Sequence, residues 1–322
     1  MVARGVARGM VGEPNKLIAP DTAGIARAAE LLRAGELVAV PTETVYGLAA
    51  RADSAEAVAK IYRTKGRPDF NPLIVHVSSP YQAEQFGLFD ERAHRLAEAF
   101  WPGPLTMVLP ARAGSTIAPA VSAGLPTIAL RCPGHPVMAQ LLEAVGLPLA
   151  APSANRSLGV SPTRPEHVCE SLGKACPPVL DGGPCAMGLE STIVALRADG
   201  GWSLLRPGPV DAGAIASIVG PQSTSTGAKI EAPGQMRKHY SPGKPVRLDA
   251  DEPCADEFMI GFGAIAGNTN LSPKSDLAEA AARLYQCLHE AAAAPQARIA
   301  VAPIPREGMG EAIADRLRRA AA

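Results

Sequence analysis

The stretch KGRPDFNPLIVH, residues 65–76, joins a cationic turn to a buried strand. Lys65 and Arg67 flank a glycine, and an apolar run of three residues then leads to His76. A cation at the end of a helix interacts favourably with the helix dipole, which accounts for one of the two charges. Asn71 precedes a proline and is therefore held extended at the start of the strand. By itself, the segment indicates an anion site beside a strand.

The sequence on both sides alternates between helical and strand patterns. PTETVYGL (41–48) reads as a loop between two of these elements, with Thr42, Thr44 and Tyr46 on one face. The alternation predicts an α/β fold with a twisted mixed sheet. The predicted helices are 21–34, 53–66, 90–100, 135–146 and 211–220, and the predicted strands are 37–40, 72–77, 104–111, 127–131, 148–151 and three more between 177 and 206.

Composition changes divide the chain into four parts. We expect a disordered tail at 1–12, a catalytic domain at 13–220, a linker or lid at 221–245 and a small α/β domain at 246–322. Proline, glycine, serine and threonine dominate the linker, which is typical of a connecting segment. Its run Arg237-Lys238-His239-Tyr240 is unusual there. The small domain is predicted to contain strands at 258–263 and 298–304 and helices at 275–293 and from about 307.

Charge and cysteine content exclude several classes of protein. The chain of 322 residues has 31 basic and 31 acidic residues, so any affinity for a polyanion has to come from a local cluster. Its six cysteines form no C-x-x-C pair, which argues against zinc and predicts mostly reduced thiols in a cytoplasmic protein. No apolar run reaches the length of a signal peptide or a membrane span, so no membrane partner is expected.

Common nucleotide and nucleophile motifs are absent from the sequence. It contains neither a P-loop nor a G-x-S-x-G elbow. GFGAIAG (261–267) has the appearance of a dinucleotide turn, but no helix follows it directly, and we interpret it as a tight structural turn.

Polar or cationic groups recur where predicted strands end. Each segment alone fits an ordinary solvated turn, and a lone His76 is more often a core residue than a catalyst. Together they indicate a large anionic ligand, either a nucleotide or RNA, because ligands of α/β proteins bind at strand ends. The segments are 42–46, 65–71, Arg131, 153–157, and 190–192 with Arg206.

The ordered set of segments resembles the YrdC-like family in its two-domain form, the threonylcarbamoyl-AMP synthases. Any one segment is a weak signal, whereas the ordered set is specific. The family's K-x-R pair and later S-x-N correspond here to Lys65–Arg67 and Ser153–Asn155. The segments are PTETVYGL, YRTKGRPDFNPLIVHV, WPGPLTMVL, LPTIALRCPGHP, APSANRSLGVSPT, DGGPCAMGLESTIV, LLRPG and GQMRKHYSPGKP.

The resemblance implies a fold and a reaction. The fold is a twisted mixed-sheet YrdC-like domain followed by a linker and a small Rossmann-like domain. The reaction is that of a nucleotidyltransferase, in which ATP, L-threonine and bicarbonate give threonylcarbamoyl-adenylate and pyrophosphate, with Mg²⁺ held mainly by the ATP phosphates. The product feeds the machinery that threonylcarbamoylates adenosine 37 of ANN-decoding tRNAs, and weak binding of tRNA or other RNA is a further expectation.

The resemblance also implies residue roles. Lys65 and Arg67 are the implied catalytic residues, and Tyr240 is expected to fold over ATP as part of a lid. The implied ATP-binding residues are Lys65, Arg67, Asn71, Thr127, Ser153, Ser157, Arg206 and Tyr240. The implied L-threonine-binding residues are Thr44, His76, Arg131, Asn155 and Ser191.

Two other hypotheses remain open at this point. A non-catalytic RNA-binding module is disfavoured by the zero net charge and by the absence of aromatic stacking motifs. A carbamoyl-transfer accessory enzyme on the same fold usually carries zinc-finger cysteine pairs, which this chain lacks. GLAARAD (47–53) departs from the family pattern by lacking a second glycine, so a different local turn is expected there.

Overall fold

The computed structural model describes residues 16–197, 199–223, 231–232 and 238–322. The predicted disordered tail at 1–12 and Arg237 lie outside these residues, as does most of the central part of the predicted linker. The described chain forms one sheet of ten strands and one of four.

The large sheet and its helices occupy the first two thirds of the chain. Its strands are β1 (Leu17–Ile18), β2 (Val38–Val40), β3 (Gly47–Arg51), β4 (Ile74–His76), β5 (Leu105–Pro110), β6 (Thr127–Arg131), β7 (Leu149–Ala150), β8 (Val179–Leu180), β9 (Thr192–Leu196) and β10 (Trp202–Arg206). Its helices are α1 (Thr22–Arg33), α2 (Ala55–Lys65), α3 (Pro80–Ala83), α4 (Glu91–Phe100), α5 (Pro119–Ser122), α6 (Pro136–Val145), α7 (Pro165–Leu172) and α8 (Ala212–Val219).

The C-terminal unit is a separate parallel sheet with two long helices. It contains β11 (Val246–Arg247), β12 (Glu257–Gly261), β13 (Thr269–Asn270), α9 (Leu277–Ala293), β14 (Arg298–Val301) and α10 (Met309–Ala320). The strand order is β11-β14-β12-β13, and all three pairs are parallel. GFGAIAG forms a tight connection from β12 towards β13, as interpreted from the sequence.

Capping residues place the helix starts where the sequence predicted them. Asp21, Ser54 and Asp90 each accept a hydrogen bond from a backbone N–H in the first turn of α1, α2 and α4. Helix α2 ends at Gly66, whose φ of 59° is the left-handed conformation that glycine adopts without steric cost. The predicted loop at 41–48 is wrong at its end, because β3 begins at Gly47. Because alanine is a poor strand former, local propensity does not explain this strand. It forms because the segment pairs with β2 and β7.

The large sheet is mixed, as predicted. Its order is β1-β8-β2-β3-β7-β4-β6-β5-β9-β10. β4 and β6 are parallel, whereas β7 runs antiparallel to both of its neighbours, β3 and β4. Neighbouring strands therefore end at opposite edges of the sheet in several places, which determines where the polar loops meet.

The two units share an apolar core. Val45, Val160 and Leu189, from loops of the first unit, pack in one cluster with the side chains of α9 and α10. Tyr240 belongs to the same cluster and is fully buried. Close packing of this kind fixes one unit against the other. None of the described helices combines the length and apolar character needed to cross a membrane.

The cysteines differ from the expectation of reduced thiols at one place. Cys169 and Cys176 form a disulfide with a Cα–Cα distance of 5.1 Å. The turn of 3₁₀ helix at Gly173–Ala175 reverses the chain after α7 and brings the two residues together. Their spacing matches no metal or redox motif, so this pair could not be predicted from the sequence. The other four cysteines are free thiols.

Two stacked histidines lie between α7 and α9. The ring centroids of His167 and His289 are 3.9 Å apart. Burial, followed by the neighbouring His289 and Arg164, lowers the pKa of His167 to about 3. Burial also lowers the pKa of His289. Both rings are therefore neutral at pH 7.

These histidines predict a loss of stability in mild acid. An unfolded histidine titrates near 6.5, so between that pH and about 3 the unfolded chain binds the proton that folded His167 refuses, and stability falls as the pH falls. We expect His167 to contribute about 1 kcal/mol per pH unit below pH 6. Urea unfolding at several pH values measures the slope. His167→Gln should reduce the slope by about this amount and the exposed control His94→Gln should not; equal slopes for His167→Gln and wild type would contradict the assignment.

Candidate active site

A cavity over the face of the large sheet collects the polar groups of several loops. Strands β4 and β6 and residues 239–240 contribute to its lining. The lining residues are Thr42, Thr44, Val45, Gly47, Arg67, Ile74, His76, Arg131, Ala151, Pro152, Ser153, Glu190, Ser191, Arg206, His239 and Tyr240.

The lining residues come from both edges of the sheet. β4 and β6 end together at one edge, where His76 pairs with Arg131. β3 begins at the opposite edge, where Gly47 bridges to Ser153. The sequence predicted a site where strands end. Because some strands are antiparallel, these ends lie at both edges of the sheet, and the polar loops meet over the sheet face between the two edges.

The KGR turn divides its two cations between different tasks. Lys65 is 3% exposed, and its Nζ donates to the backbone oxygens of Ser153 and Asn155, both at 2.6 Å. Burial, and then the nearby Arg67, lowers the pKa of Lys65 well below its usual value. Lys65 therefore fastens the 153–155 loop, while Arg67 lines the cavity.

Arg67 is held by its own loop. Its Nε donates to the backbone oxygen of Asn71 at 3.2 Å, and its Nη2 donates to that of Pro72 at 2.9 Å. Burial lowers the pKa of Arg67 to about 10, so the side chain is still charged at neutral pH. Both acceptors are neutral carbonyl oxygens, and the positive charge remains directed at the cavity.

Arg131 is fixed by three groups on one side of the cavity. Its Nε donates to the backbone oxygen of Gly103 at 3.2 Å, its Nη1 to Thr44 Oγ1 at 2.9 Å and its Nη2 to Glu43 Oε1 at 2.7 Å. Burial alone would raise the pKa of Glu43, but the charge and hydrogen bond of Arg131 outweigh it and the pKa is lowered. Burial and then Arg131 lower the pKa of the adjacent His76 to about 3, which keeps that ring neutral.

Arg206 enters the cavity from the end of β10. It donates from Nε to the backbone oxygen of Ser191 and from Nη2 to Ser191 Oγ, both at 3.0 Å. Ser191 Oγ also lies 2.8 Å from Thr106 Oγ1. Gly208 follows closely, and a Cβ there would lie 2.5 Å from the backbone nitrogen of Thr192. The R-P-G sequence therefore lets the chain pack directly on the backbone of residues 190–192, where β9 begins.

Tyr240 forms part of the cavity wall. It is fully buried, its ring centroid lies 4.1 Å from that of His239, and its hydroxyl has no hydrogen-bond partner among the described residues. His239 Nδ1 has none either, and burial lowers the pKa of His239 to about 3. Lys238 is exposed. Two buried polar atoms beside a cavity point to a polar ligand, because such atoms are normally hydrogen-bonded.

The structure brings eight of the thirteen predicted site residues to the cavity: Thr44, Arg67, His76, Arg131, Ser153, Ser191, Arg206 and Tyr240. Lys65 and Asn155 lie behind the lining, where Asn155 Nδ2 donates to the backbone oxygens of Arg156 and Gly159. Ser157 donates its backbone N–H to Lys65, and Asn71 supports Arg67. Thr127 begins β6, about 13 Å from Arg131 along the strand, and is not among the lining residues.

Glu43 and Glu190 lie in the polar segments 42–46 and 190–192 noted from the sequence, but sequence reasoning assigned no role to either residue. We predicted alternation through Thr42, Thr44 and Tyr46, which would place Glu43 on the other face. Instead, Thr42 Oγ1 accepts hydrogen bonds from the backbone of Thr44 and Val45, and this turn directs Glu43 to Arg131. Glu43 is the one carboxylate in a loop of apolar and hydroxyl side chains, and this contrast could have identified it from the sequence.

The Arg131–Glu43 pair yields a stability prediction. Glu43→Leu leaves a buried guanidinium without its counter-charge, and we expect a loss of about 3–5 kcal/mol in the free energy of unfolding. Glu36→Leu breaks the more exposed pair with Lys60 and serves as control, with an expected loss below about 1 kcal/mol. Urea denaturation compares them. Similar small losses for both variants would show that Glu43 does not compensate Arg131.

Two family models match the chain, and together they cover most of it. Residues 30–208 match the Sua5/YciO/YrdC family, described as telomere recombination. Residues 210–322 match the threonylcarbamoyl-AMP synthase C-terminal domain.

Named relatives and a solved structure agree with these models. The chain is 43% identical to the threonylcarbamoyl-AMP synthase of Bacillus subtilis, over 73% of this chain and 69% of that protein. It is 36% identical to the threonylcarbamoyl-AMP synthase of Pyrococcus abyssi, over 91% of this chain and 92% of the relative. The crystal structure of P. abyssi Sua5 complexed with L-threonine superposes with a TM-score of 0.86 at 32% identity, over 95% of this chain and 97% of that one. The chain therefore belongs to the Sua5/YciO/YrdC family, in the two-domain form of the threonylcarbamoyl-AMP synthases.

Proposed function

We propose that this protein synthesises L-threonylcarbamoyladenylate from ATP, L-threonine and bicarbonate, with release of pyrophosphate. The observation that carries the proposal is the charge of the cavity. Arg67 and Arg206 are buried, line it, and donate to neutral oxygens in the contacts described above. Among the described residues neither guanidinium forms an ion pair with a carboxylate, and two such buried groups favour an anionic ligand such as a nucleotide phosphate.

The third arginine of the cavity, Arg131, is suited to bind a second anionic group of the substrates. Arg131 is oriented by Glu43, Thr44 and Gly103, and a guanidinium has five N–H donors. Donors remain for the carboxylate of threonine, and the neutral His76 stands beside it. One cavity thus offers separate places for the phosphates and for an amino-acid carboxylate, which is the arrangement that an adenylate-forming reaction requires.

The chemistry that we propose has two steps. The amine nitrogen of threonine bonds to the bicarbonate carbon and water leaves, which gives a carbamate. A carbamate oxygen then bonds to the α-phosphorus of ATP, the bond from that phosphorus to the bridging oxygen breaks, and pyrophosphate leaves. Arg67 and Arg206 neutralise phosphate charge, Lys65 holds the Ser153–Asn155 loop in place, and Tyr240 keeps water from the carbamate and adenylate.

Magnesium fits the site only as a companion of the substrate. No group of three or more His, Cys, Asp or Glu side chains suited to a metal ion exists among the described residues. Glu190, the carboxylate of the lining, already accepts hydrogen bonds on both oxygens. We therefore propose that Mg²⁺ arrives on the ATP phosphates, where it would neutralise charge, as is common for this ion.

The remaining assignments follow from the proposed reaction. The product is consumed by the tRNA threonylcarbamoyl-transfer machinery in the cytoplasm, where ATP, threonine and tRNA are available. Thr127 as a nucleotide contact, the weak binding of tRNA, and the roles of Asn71, Asn155 and Ser157 in holding ligand remain predictions.

Pyrophosphate release tests the reaction. We expect release only when ATP, Mg²⁺, threonine and bicarbonate are all present. Lys65→Ala should lower kcat/KM by about 100-fold or more, because the 153–155 loop loses the two hydrogen bonds that hold it against the cavity. Lys60→Ala, on the same helix but paired with the exposed Glu36, is the control. In Tyr240→Ala, we expect the carbamate and the adenylate to be exposed to water and therefore to be hydrolysed. If ATP stays intact in every mixture while RNA is bound in a salt-dependent way, the RNA-binding hypothesis replaces this one.

Arg131 predicts a selective loss of threonine affinity. Arg131→Lys keeps a cation opposite Glu43 but lacks the planar fork, so KM for threonine should rise by about 10- to 100-fold. KM for ATP should change by less than about threefold, because Arg67 and Arg206 are untouched. Steady-state kinetics with each substrate varied in turn measure both values. An increase confined to KM for ATP would place threonine elsewhere.

A further inference from the structure

The carboxylate of Glu190 connects the cavity to the C-terminal unit. Glu190 lines the cavity, yet its Oε2 accepts hydrogen bonds from the hydroxyl of Tyr285 at 2.7 Å and from Arg316 Nε at 3.0 Å. Its Oε1 accepts from Ser161 Oγ at 2.5 Å. Tyr285 belongs to α9 and Arg316 to α10, so two helices of the C-terminal unit contact a residue of the cavity wall.

Arg316 is placed as a buried counter-charge. Its side chain is 0% exposed, and its Nη1 donates to Asp315 Oδ2 at 3.0 Å. A buried ion pair adds little net stability, because removing both charges from water costs about as much as their attraction returns. The position of this arginine directly behind the cavity therefore points to a role in arranging the site.

Arg206 lies on the cavity side of the same carboxylate. The charges of Glu190 and Arg206 act on each other, since each contributes to the shifted pKa of its neighbour. Nevertheless, Arg206 makes its hydrogen bonds to Ser191 and none is formed with Glu190. Arg316, Tyr285 and Ser161 take three of the roughly four acceptor positions of the Glu190 carboxylate, and both positions on Oε2 are filled, which disfavours a further pair with Arg206.

Tyr240 depends on the same two residues. Its ring stacks on that of Tyr285, with centroids 5.6 Å apart and planes at 26°, and the guanidinium carbon of Arg316 lies 5.5 Å from its centroid. The φ of Tyr240 is +61°, a left-handed conformation that costs a residue with a Cβ about 1–2 kcal/mol. The surrounding contacts must offset that cost for Tyr240 to stay in the wall.

We propose that Arg316 and Tyr285 are positioning residues for nucleotide binding. By engaging Glu190 they prevent it from pairing with Arg206, so that the Arg206 guanidinium is available to a phosphate, and they hold Tyr240 in the wall of the cavity. The C-terminal unit thereby sets nucleotide affinity without touching the nucleotide. This inference rests on the proposed function, which supplies the nucleotide as ligand.

Ligand affinities in the full-length protein test the inference. We expect Arg316→Met to raise the dissociation constant for ATP with Mg²⁺ by about tenfold or more, because the uncompensated Glu190 draws Arg206 to itself. The dissociation constant for L-threonine should change by less than about twofold, since the contacts that hold Arg131 involve neither Glu190 nor Arg206. Arg318→Met, on the same helix but exposed, is the matched control and should leave both values unchanged. Isothermal titration calorimetry measures them without turnover.

A rescue separates positioning from a merely structural role. Adding Glu190→Gln to Arg316→Met removes the unpaired charge, and the ATP dissociation constant should return at least about threefold towards that of wild type. If Arg316→Met does not fold, as judged by circular dichroism, Tyr285→Phe carries the test. This variant keeps the ring and loses only the hydrogen bond to Glu190, and we expect about a threefold weaker ATP affinity.

The possible failures are distinguishable. Unchanged ATP affinity in folded Arg316→Met and Tyr285→Phe overturns the inference. Equal weakening of ATP and threonine binding that Glu190→Gln does not relieve also overturns it, in favour of a structural role. Absence of pyrophosphate release by wild type overturns the proposed function instead, and the calorimetric comparison still decides whether Arg316 sets nucleotide affinity.

Discussion

The structure depends on keeping guanidinium groups charged where little water reaches them. Arg67, Arg131 and Arg206 are each 9% exposed or less and converge on one cavity. The protein handles their desolvation in two ways. Arg131 has a carboxylate partner in Glu43, whereas Arg67 and Arg206 are held by backbone and hydroxyl oxygens that fix their position and leave the charge uncancelled. This division supports the proposal that one part of the cavity binds a small carboxylate and another binds a polyphosphate.

The mixed topology makes that convergence possible. In a wholly parallel sheet, loops that follow strands meet at one edge. Here β7 runs against β3 and β4, so the Ser153 loop and the β3 start lie at the edge opposite to His76 and Arg131. A ligand lying over the sheet face can then contact groups from both edges. The 41–46 turn, His239 and Tyr240 also line the cavity in which it would lie.

Local signals predicted most elements, and long-range contacts account for what they missed. Helix caps such as Ser54 and Asp90 act within three residues, so α2 and α4 could be located from the sequence. β3 is rich in alanine and is a strand because of its neighbours. Arg67, Arg131 and Arg206 were identified from their position beside prolines or strand ends and by family resemblance. Glu190 lay in a polar segment noted from the sequence, but its proposed role became recognisable only with its partners Arg316 and Tyr285, which lie 126 and 95 residues away in the chain.

The apolar cluster shared by the two units also constrains how the sequence can diverge. Val45, Val160 and Leu189 fill space between side chains of α9 and α10, and protein interiors have few gaps that absorb a change of volume. If the side chain at one of these loop positions becomes larger, a side chain that it contacts on α9 or α10 has to become smaller, and the reverse also holds. For most of these contacts, the two residues are more than a hundred positions apart in the chain. The two units are thus expected to evolve as a matched pair, and a C-terminal unit taken from a distant relative would fit this protein only if the three loop residues were exchanged with it.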